Sequence, residues 1–240
     1  MPDGPLVELE RVGVRRPGAV ILRDLRLTVS AGEAVGVFGA NGSGKTTLLR
    51  LVATLFPPSD GVGRVLGAAL GEPGVEAVRR RIGFVSHETL VYPDLTTREN
   101  LVFYGRLYSL DNPEARADEM LDRMGLEAKS RTTTRSLSRG MKQRLSLARA
   151  FIHEPDLLLL DEPFTGLDEQ AADTLDELLS RFRSGGGSIL MASHNIERGW
   201  KHADRVAVLD RGGIPYQASV SDTDFAQFHS RYREIISTEG

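Results

Sequence analysis

The chain has 240 residues, 40% hydrophobic and 26% charged, enough apolar material for one large domain or two small ones. Thirty Lys and Arg against 33 Asp and Glu leave a net charge of −3, which argues against a polybasic nucleic-acid or membrane-surface module. There is no cysteine, which excludes disulfides, thiolate metal sites and cysteine nucleophiles.

Short apolar runs punctuated by glycine alternate with longer helical stretches, the pattern of an α/β fold around a mostly parallel sheet. Val20–Val29 mixes apolar and charged positions in near alternation and predicts a half-buried antiparallel strand. Ala34–Phe38, Ile82–Val85, Leu157–Leu160, Ser188–Ala192 and Arg205–Leu209 predict buried strands, each too short to favour a helix. Arg79–Arg81 reads as a solvated face ahead of a strand more readily than as a phosphate patch.

Residues 97–130 read as helices. Leu101, Tyr104, Leu107 and Tyr108 share one face, Asn112-Pro113 breaks the run, and Ala117, Met120, Leu121 and Met124 resume it until Gly125 ends it as a C-cap. The organisation expected is a single domain over 1–240. Core segments 1–87 and 149–217 flank a helical subdomain at 88–148, and a C-terminal helical extension covers 218–240. In that extension Asp222–Ile236 predicts an amphipathic helix with Phe225, Phe228, Tyr232 and Ile235 on one side, used for packing or contact with a second copy. The longest aliphatic run, Leu157–Leu160, falls far short of the roughly 20 residues that span a bilayer. The opening MPDGPLVELE has neither a basic nor an apolar leader segment, so the protein is expected to stay where it is made.

Gly39-Ala40-Asn41-Gly42-Ser43-Gly44-Lys45-Thr46 matches G-x-x-x-x-G-K-[ST], after an expected strand and before a helical run from Thr47. Glycines let successive backbone N–H groups point into one concavity, and the helix start adds partial positive charge for phosphate. Lys45 is expected to reach the β- and γ-phosphates of a nucleotide, and the Thr46 hydroxyl to ligate Mg²⁺. Further on, Leu157–Leu160 ends in Asp161 and Glu162, and carboxyl ends of parallel strands face the ligand crevice. Adjacent strand residues point to opposite faces, so the two carboxylates take different tasks. Asp161 is expected to serve the Mg²⁺ shell, and Glu162 to polarise the attacking water.

Ser136–Arg144 (SLSRGMKQR) precedes this strand, Gly166-Leu167-Asp168 follows the carboxylates, and Ser193-His194 ends the next strand. In that order the segments resemble the ATP-binding subunit of an ABC transporter over residues 6 to about 217. GANGSGKTT is similar to Walker A, LSRGM to the signature, LLLLDEP to Walker B, GLD to the D-loop with Asp168, and SH to the H-loop. The resemblance implies a P-loop NTPase core with a mostly parallel sheet, an antiparallel β subdomain and an inserted helical subdomain. It also implies a head-to-tail homodimer or ATPase heterodimer holding two ATP molecules, each bound by Lys45, Thr46, Thr47, Asp161, Glu162 and His194 of one chain. From the other chain's signature segment, Ser138, Arg139, Gly140 and Met141, it is Ser138 and Gly140 that would cap the γ-phosphate, which His194 also contacts. Integral membrane subunits would dock on the helical face around Tyr92–Tyr108, placing the protein at the inner face of the cell membrane with no nucleic acid involved.

The chain departs from the family pattern in three places. Arg139 and Met141 replace a Gly and the Gln of the signature; His87 and Glu88 stand where a Gln is expected; and Val12–Gly18 lacks the aromatic that stacks on adenine. Arg15 or Arg16 offers a guanidinium plane instead, base-tolerant binding being the alternative. The stretch Phe84–Tyr108 with LSRGMKQRL resembles ATPases of haem export in cytochrome c-type biogenesis, and shares much with drug- and polysaccharide-export ATPases. A soluble ATPase of the same superfamily and a weakly hydrolysing regulatory subunit are the remaining alternatives.

Overall fold

The computed structural model describes residues 4–86 and 88–237. In chain order the strands are β1 (Val7–Arg16), β2 (Ala19–Val29), β3 (Ala34–Phe38), β4 (Asp60–Val65), β5 (Ala68–Ala69), β6 (Ile82–Val85), β7 (Leu157–Asp161), β8 (Ser188–Ser193), β9 (Arg205–Asp210) and β10 (Gly213–Ser219). The α-helices are α1 (Lys45–Val52), α2 (Thr97–Leu107), α3 (Pro113–Arg123), α4 (Arg139–Phe151), α5 (Glu169–Ser184), α6 (Ile196–Lys201) and α7 (Phe225–Ser237).

Two sheets result. The first is antiparallel, in the order β2-β1-β4-β5. The second runs β10-β9-β3-β8-β7-β6 and is parallel except for β10 at its edge. The strands expected at Ala34–Phe38 and Ile82–Val85 form over those residues, and those beginning at Leu157, Ser188 and Arg205 each run one residue longer.

Every residue of β3, β7 and β8 is buried, as a parallel sheet covered on both faces requires. Alternation along β7 divides its side chains. Leu157 and Leu159 join Leu48, Leu49, Leu51 and Val52 of α1 in one core, whereas Leu158 and Leu160 join Leu145 and Leu147 of α4 and Leu175 and Leu179 of α5 in another. Register then brings the functional ends level: Phe38 pairs with Ser193, and Asp161 pairs with Ala192. The chain therefore leaves β3, β7 and β8 at one edge of the sheet, where the crevice of an open parallel sheet lies.

Between β6 and β7 lie α2, α3 and α4. Helix α2 opens with a capping box, Thr96 and Glu99 each accepting from the other's backbone N–H, and α3 opens with Asn112 as N-cap and Pro113 in its first turn. Gly125 follows α3 at φ 61, the left-handed conformation a glycine takes without strain. Leu101 is buried and Tyr104 and Tyr108 pack against the same core, but Leu107 is 58% exposed, so the expected apolar face narrows at its end. Arg79, Arg80 and Arg81 are all exposed, as expected of a solvated face, and two of them also make local contacts. Arg79 donates to Thr54 Oγ1 at 2.9 Å and to Thr54 O at 2.7 Å, closing the end of α1, and Arg81 pairs with Asp156. Helix α7 buries Phe228 against Phe38 and Trp200, fastening the C-terminal segment behind β3.

Candidate active site

The turn between β3 and α1 is built for close approach. A Cβ on Gly39 would stand 2.2 Å from Leu209 O, and Gly44 holds φ 111 as the N-cap of α1. No side chain caps α1, so its first N–H groups remain available to an anion. Ser43 Oγ is buried and has no hydrogen-bond partner among the described residues, a donor suited to a phosphate oxygen. Lys45, 7% exposed, donates from Nζ to Gly39 O at 2.8 Å and Ala40 O at 3.1 Å, with Glu162 Oε1 3.8 Å away.

Asp161 continues the parity of Leu157 and Leu159 and so points toward α1, where Thr46 Oγ1 donates to its Oδ2 at 2.8 Å. A hydroxyl and a carboxylate so close are hard oxygen donors and fit Mg²⁺, which takes one or two protein oxygens and fills its other positions from phosphate and water. No group of three or more His, Cys, Asp or Glu side chains is placed to hold a metal ion among the described residues. Glu162 leaves the strand at φ 52 and swings its carboxylate toward the end of β8. There Oε2 accepts from Ser193 Oγ at 3.1 Å and from the backbone N–H of His194 at 3.2 Å, and lies 2.8 Å from His194 Nδ1. Burial first, and then the Glu162 charge, hold the Tyr232 phenol above its ordinary range, so α7 lies within electrostatic reach of this carboxylate.

A cleft of about 540 Å³ gathers Asn41, Gly42, Gly44, Lys45, Thr46, Thr47, Asp161, Glu162 and His194. Ile21 and Thr165 also line it, and neither was anticipated. Ile21 has no motif to mark it, whereas Thr165 lies within the EPFTGLD stretch that the sequence does flag.

The signature residues sit apart from this cleft. Ser138 is the N-cap of α4, accepting from Met141 N at 3.3 Å, and Arg139 and Gly140 adjoin Gly166 of the same chain. Arg139 lines a neighbouring cavity of about 400 Å³ with Thr89, Lys142, Gln143, Asp161, Glu162 and Thr165. Asp168 caps α5, its Oδ1 accepting from Ala171 N at 2.8 Å. Of the expected Gln-replacing pair, His87 lies outside the described residues, and Glu88 is exposed and lines neither cavity; Thr89 is the residue of that loop that does. Nor do the guanidinium planes expected to receive the base reach the cleft. Arg15 pairs with Asp60 at 3.0 Å, and Arg16 lies over the Phe56 ring, 4.6 Å from its centroid.

The model of the ABC transporter family matches residues 22–165. The Nod factor export ATP-binding protein I of Rhizobium johnstonii (strain DSM 114642 / LMG 32736 / 3841) is 40% identical over 218 residues, 88% of this chain and 70% of that protein. The ABC transporter ATP-binding protein NatA of Bacillus subtilis (strain 168) is 38% identical over 202 residues, 83% and 82% of the two chains. The linearmycin resistance ATP-binding protein LnrL of the same strain is 34% identical over 194 residues, 80% and 62%. Among solved structures, a dimeric ATP-binding cassette in a post-hydrolysis state bound to ADP and Pi superposes with a TM-score of 0.83 at 26% identity, covering 89% of this chain and 98% of that one. The relatives' names speak of Nod factor export and linearmycin resistance, which does not support the expected haem export and fits the drug and polysaccharide reading better.

Proposed function

Because the chain belongs to the ABC transporter family, as an ATP-binding and ATP-hydrolysing subunit, we propose that it drives the export of a drug-like or polysaccharide-type cargo through a membrane partner. The observation that carries this reading is the convergence of Lys45, Thr46, Asp161, Glu162 and His194 on one cleft at the carboxyl edge of the sheet.

ATP enters with its phosphates over Gly39–Gly44 and the start of α1, where Lys45 and Ser43 Oγ meet the β- and γ-oxygens. Thr46 Oγ1 and Asp161 Oδ2 would hold Mg²⁺, which when bound neutralises phosphate charge and orients the terminal group. A water attacks the γ-phosphorus and gives its proton to Glu162, while the bond to the bridging β–γ oxygen breaks to leave ADP and phosphate. His194 holds Glu162 and contacts the γ-phosphate. Ser138 and Gly140 of a second copy cap the same phosphate, so two chains close over two ATP molecules and part once the γ-phosphate is gone. Exposed Leu90, Tyr92, Phe103 and Leu107, with the Tyr92 and Phe103 rings 4.9 Å apart, give the helical face an apolar patch for the membrane subunit. No helix among the described residues is long and apolar enough to cross a membrane.

The test is Glu162→Gln. It is expected to bind ATP, to fall at least about a hundredfold in turnover, and to accumulate as a dimer on gel filtration with ATP. Turnover at the parental rate would remove Glu162 as the base.

A further inference from the structure

Glu162 is held in an uneven way. Donors from the end of β8 gather on Oε2, while Oε1 is the oxygen turned toward Lys45, 3.8 Å from its ammonium. One of those donors is the hydroxyl of Ser193, a residue only 1% exposed and last in β8. Ser193 Oγ also accepts the backbone N–H of Asn195 at 3.0 Å. A hydroxyl has one proton. With one of its two lone pairs engaged by the Asn195 N–H, the hydroxyl directs that proton at Glu162 Oε2, 3.1 Å away. The hydroxyl is therefore a donor with a fixed sense, and it is buried where an unmade bond is expensive.

We propose that Ser193 is a positioning residue for ATP hydrolysis: its hydroxyl, anchored by Asn195, pins Glu162 Oε2 and so presents Oε1 as the acceptor of the water proton. The inference rests on the reading of Glu162 as the base.

The geometry supplies the need for such a pin. Glu162 stands at φ 52, a backbone conformation that β-carbon-bearing residues adopt rarely, and its flexible side chain has left the strand that fixed Asp161. His194 is no rigid anchor, since its side chain is 60% exposed. Ser193 is in register with Phe38 on β3, whose next residue opens the phosphate loop, so the bond ties the carboxylate to the sheet edge that carries the phosphates. A bland role is available: a buried serine at a strand exit that merely steadies the start of α6 by accepting from Asn195. Such a role would change stability without selecting kcat over KM.

The experiment is steady-state Mg-ATP hydrolysis by the full chain carrying Ser193→Ala, Ser193→Thr, Glu162→Ala and the Ser193→Ala/Glu162→Ala pair, with ATP binding and thermal unfolding measured alongside. Ser193→Ala is expected to lower kcat about tenfold to a hundredfold, the range for a bond to a charged group, while KM and the Kd for ATP stay within about twofold. Ser193→Thr keeps the hydroxyl and restores kcat to within about threefold of the parent. In the Glu162→Ala background, loss of the hydroxyl has nothing to act through and leaves the residual rate unchanged. Parental kcat in Ser193→Ala beside a dead Glu162→Ala overturns the inference and leaves the base standing. A Ser193→Ala loss that appears equally in ATP affinity, or that persists undiminished in the Glu162→Ala background, overturns it in favour of the bland role. Parental turnover in Glu162→Ala removes the base and this inference with it.

Discussion

Thr46 Oγ1 donates to Asp161 Oδ2 across 2.8 Å, joining the first turn of α1 to the last residue of β7. The two residues are 115 positions apart, and the bond exists because β7 directs every second side chain toward α1. If this pair serves Mg²⁺, removing either oxygen alters the dependence on the ion before it alters the fold. Thr46→Val is expected to lower turnover at least about tenfold and to raise the Mg²⁺ concentration at half-maximal rate. Asp161→Asn keeps the acceptor for Thr46 but loses the charge, at a loss on the order of a hundredfold. A Mg²⁺ titration of turnover reads both, and an unshifted midpoint in Thr46→Val would refute the pair as a metal site.

The absence of an aromatic at the base end has a consequence for selectivity. Arg16 is committed to Phe56 and Arg15 to Asp60, and from β2 it is Ile21 that lines the cleft. An aliphatic side chain contacts any nucleobase and hydrogen-bonds to none. The chain is therefore expected to discriminate little: GTP should compete with ATP at a Kd within about fivefold. Ile21→Tyr supplies a ring for stacking, worth about 1 kcal/mol, and is expected to tighten ATP binding about fivefold. Competition binding with a fluorescent ATP analogue measures this, and a preference for ATP above about thirtyfold in the parent would contradict it.

Much of the site was legible because it consists of short contiguous segments whose chemistry is local. Gly39–Thr46, Asp161-Glu162 and Ser193-His194 each lie at the end of a strand that its own apolar run discloses. The antiparallel sheet was harder to see, and bulges explain why. In β1 the buried residues switch from Val7 and Leu9 to Val12 and Val14, and the register shifts between Leu9 and Val12, where Arg11 takes φ 53. In β2 the same change of parity falls between Leu22 and Leu25, at Asp24 with φ 43, and Arg11 and Asp24 form an ion pair at 3.2 Å. Strict alternation is lost in both strands: β1 carries no clean period-two signal, whereas the near alternation that remains over Val20–Val29 is enough to predict β2 as the half-buried antiparallel strand it forms. Strand β10 carries Pro215 and half-buried positions, as an edge strand tolerates, and so reads as loop. Ser193 was noticed only as the neighbour of His194, because the bond that gives it a task runs to a residue 31 positions away.

The last prediction concerns stability. His153 follows α4 and stacks on Tyr108 with ring centroids 3.8 Å apart, while its Nε2 lies 3.0 Å from Ile82 O on the edge strand β6. Burial, opposed by that backbone bond and aided by the charges of Arg149 and Arg116, lowers its pKa from 6.5 to about 4. The folded protein thus holds the ring neutral where the unfolded chain binds a proton, so stability rises with pH between about 4 and 6.5 and is lost as pH falls through that window. At about 1.4 kcal/mol per pH unit, the contribution is about 3 kcal/mol. His153→Phe keeps the stack on Tyr108 and removes the titrating group. Denaturant unfolding at pH 7 and pH 4.5 should therefore show a smaller loss of stability in the variant than in the parent, by about 2 kcal/mol. The variant starts from a lower value at pH 7, since it lacks the bond to Ile82 O. Equal losses in the two proteins would mean that His153 is protonated within the fold, and that β6 is held to α4 by Arg149, which donates to Phe84 O, without help from a neutral imidazole.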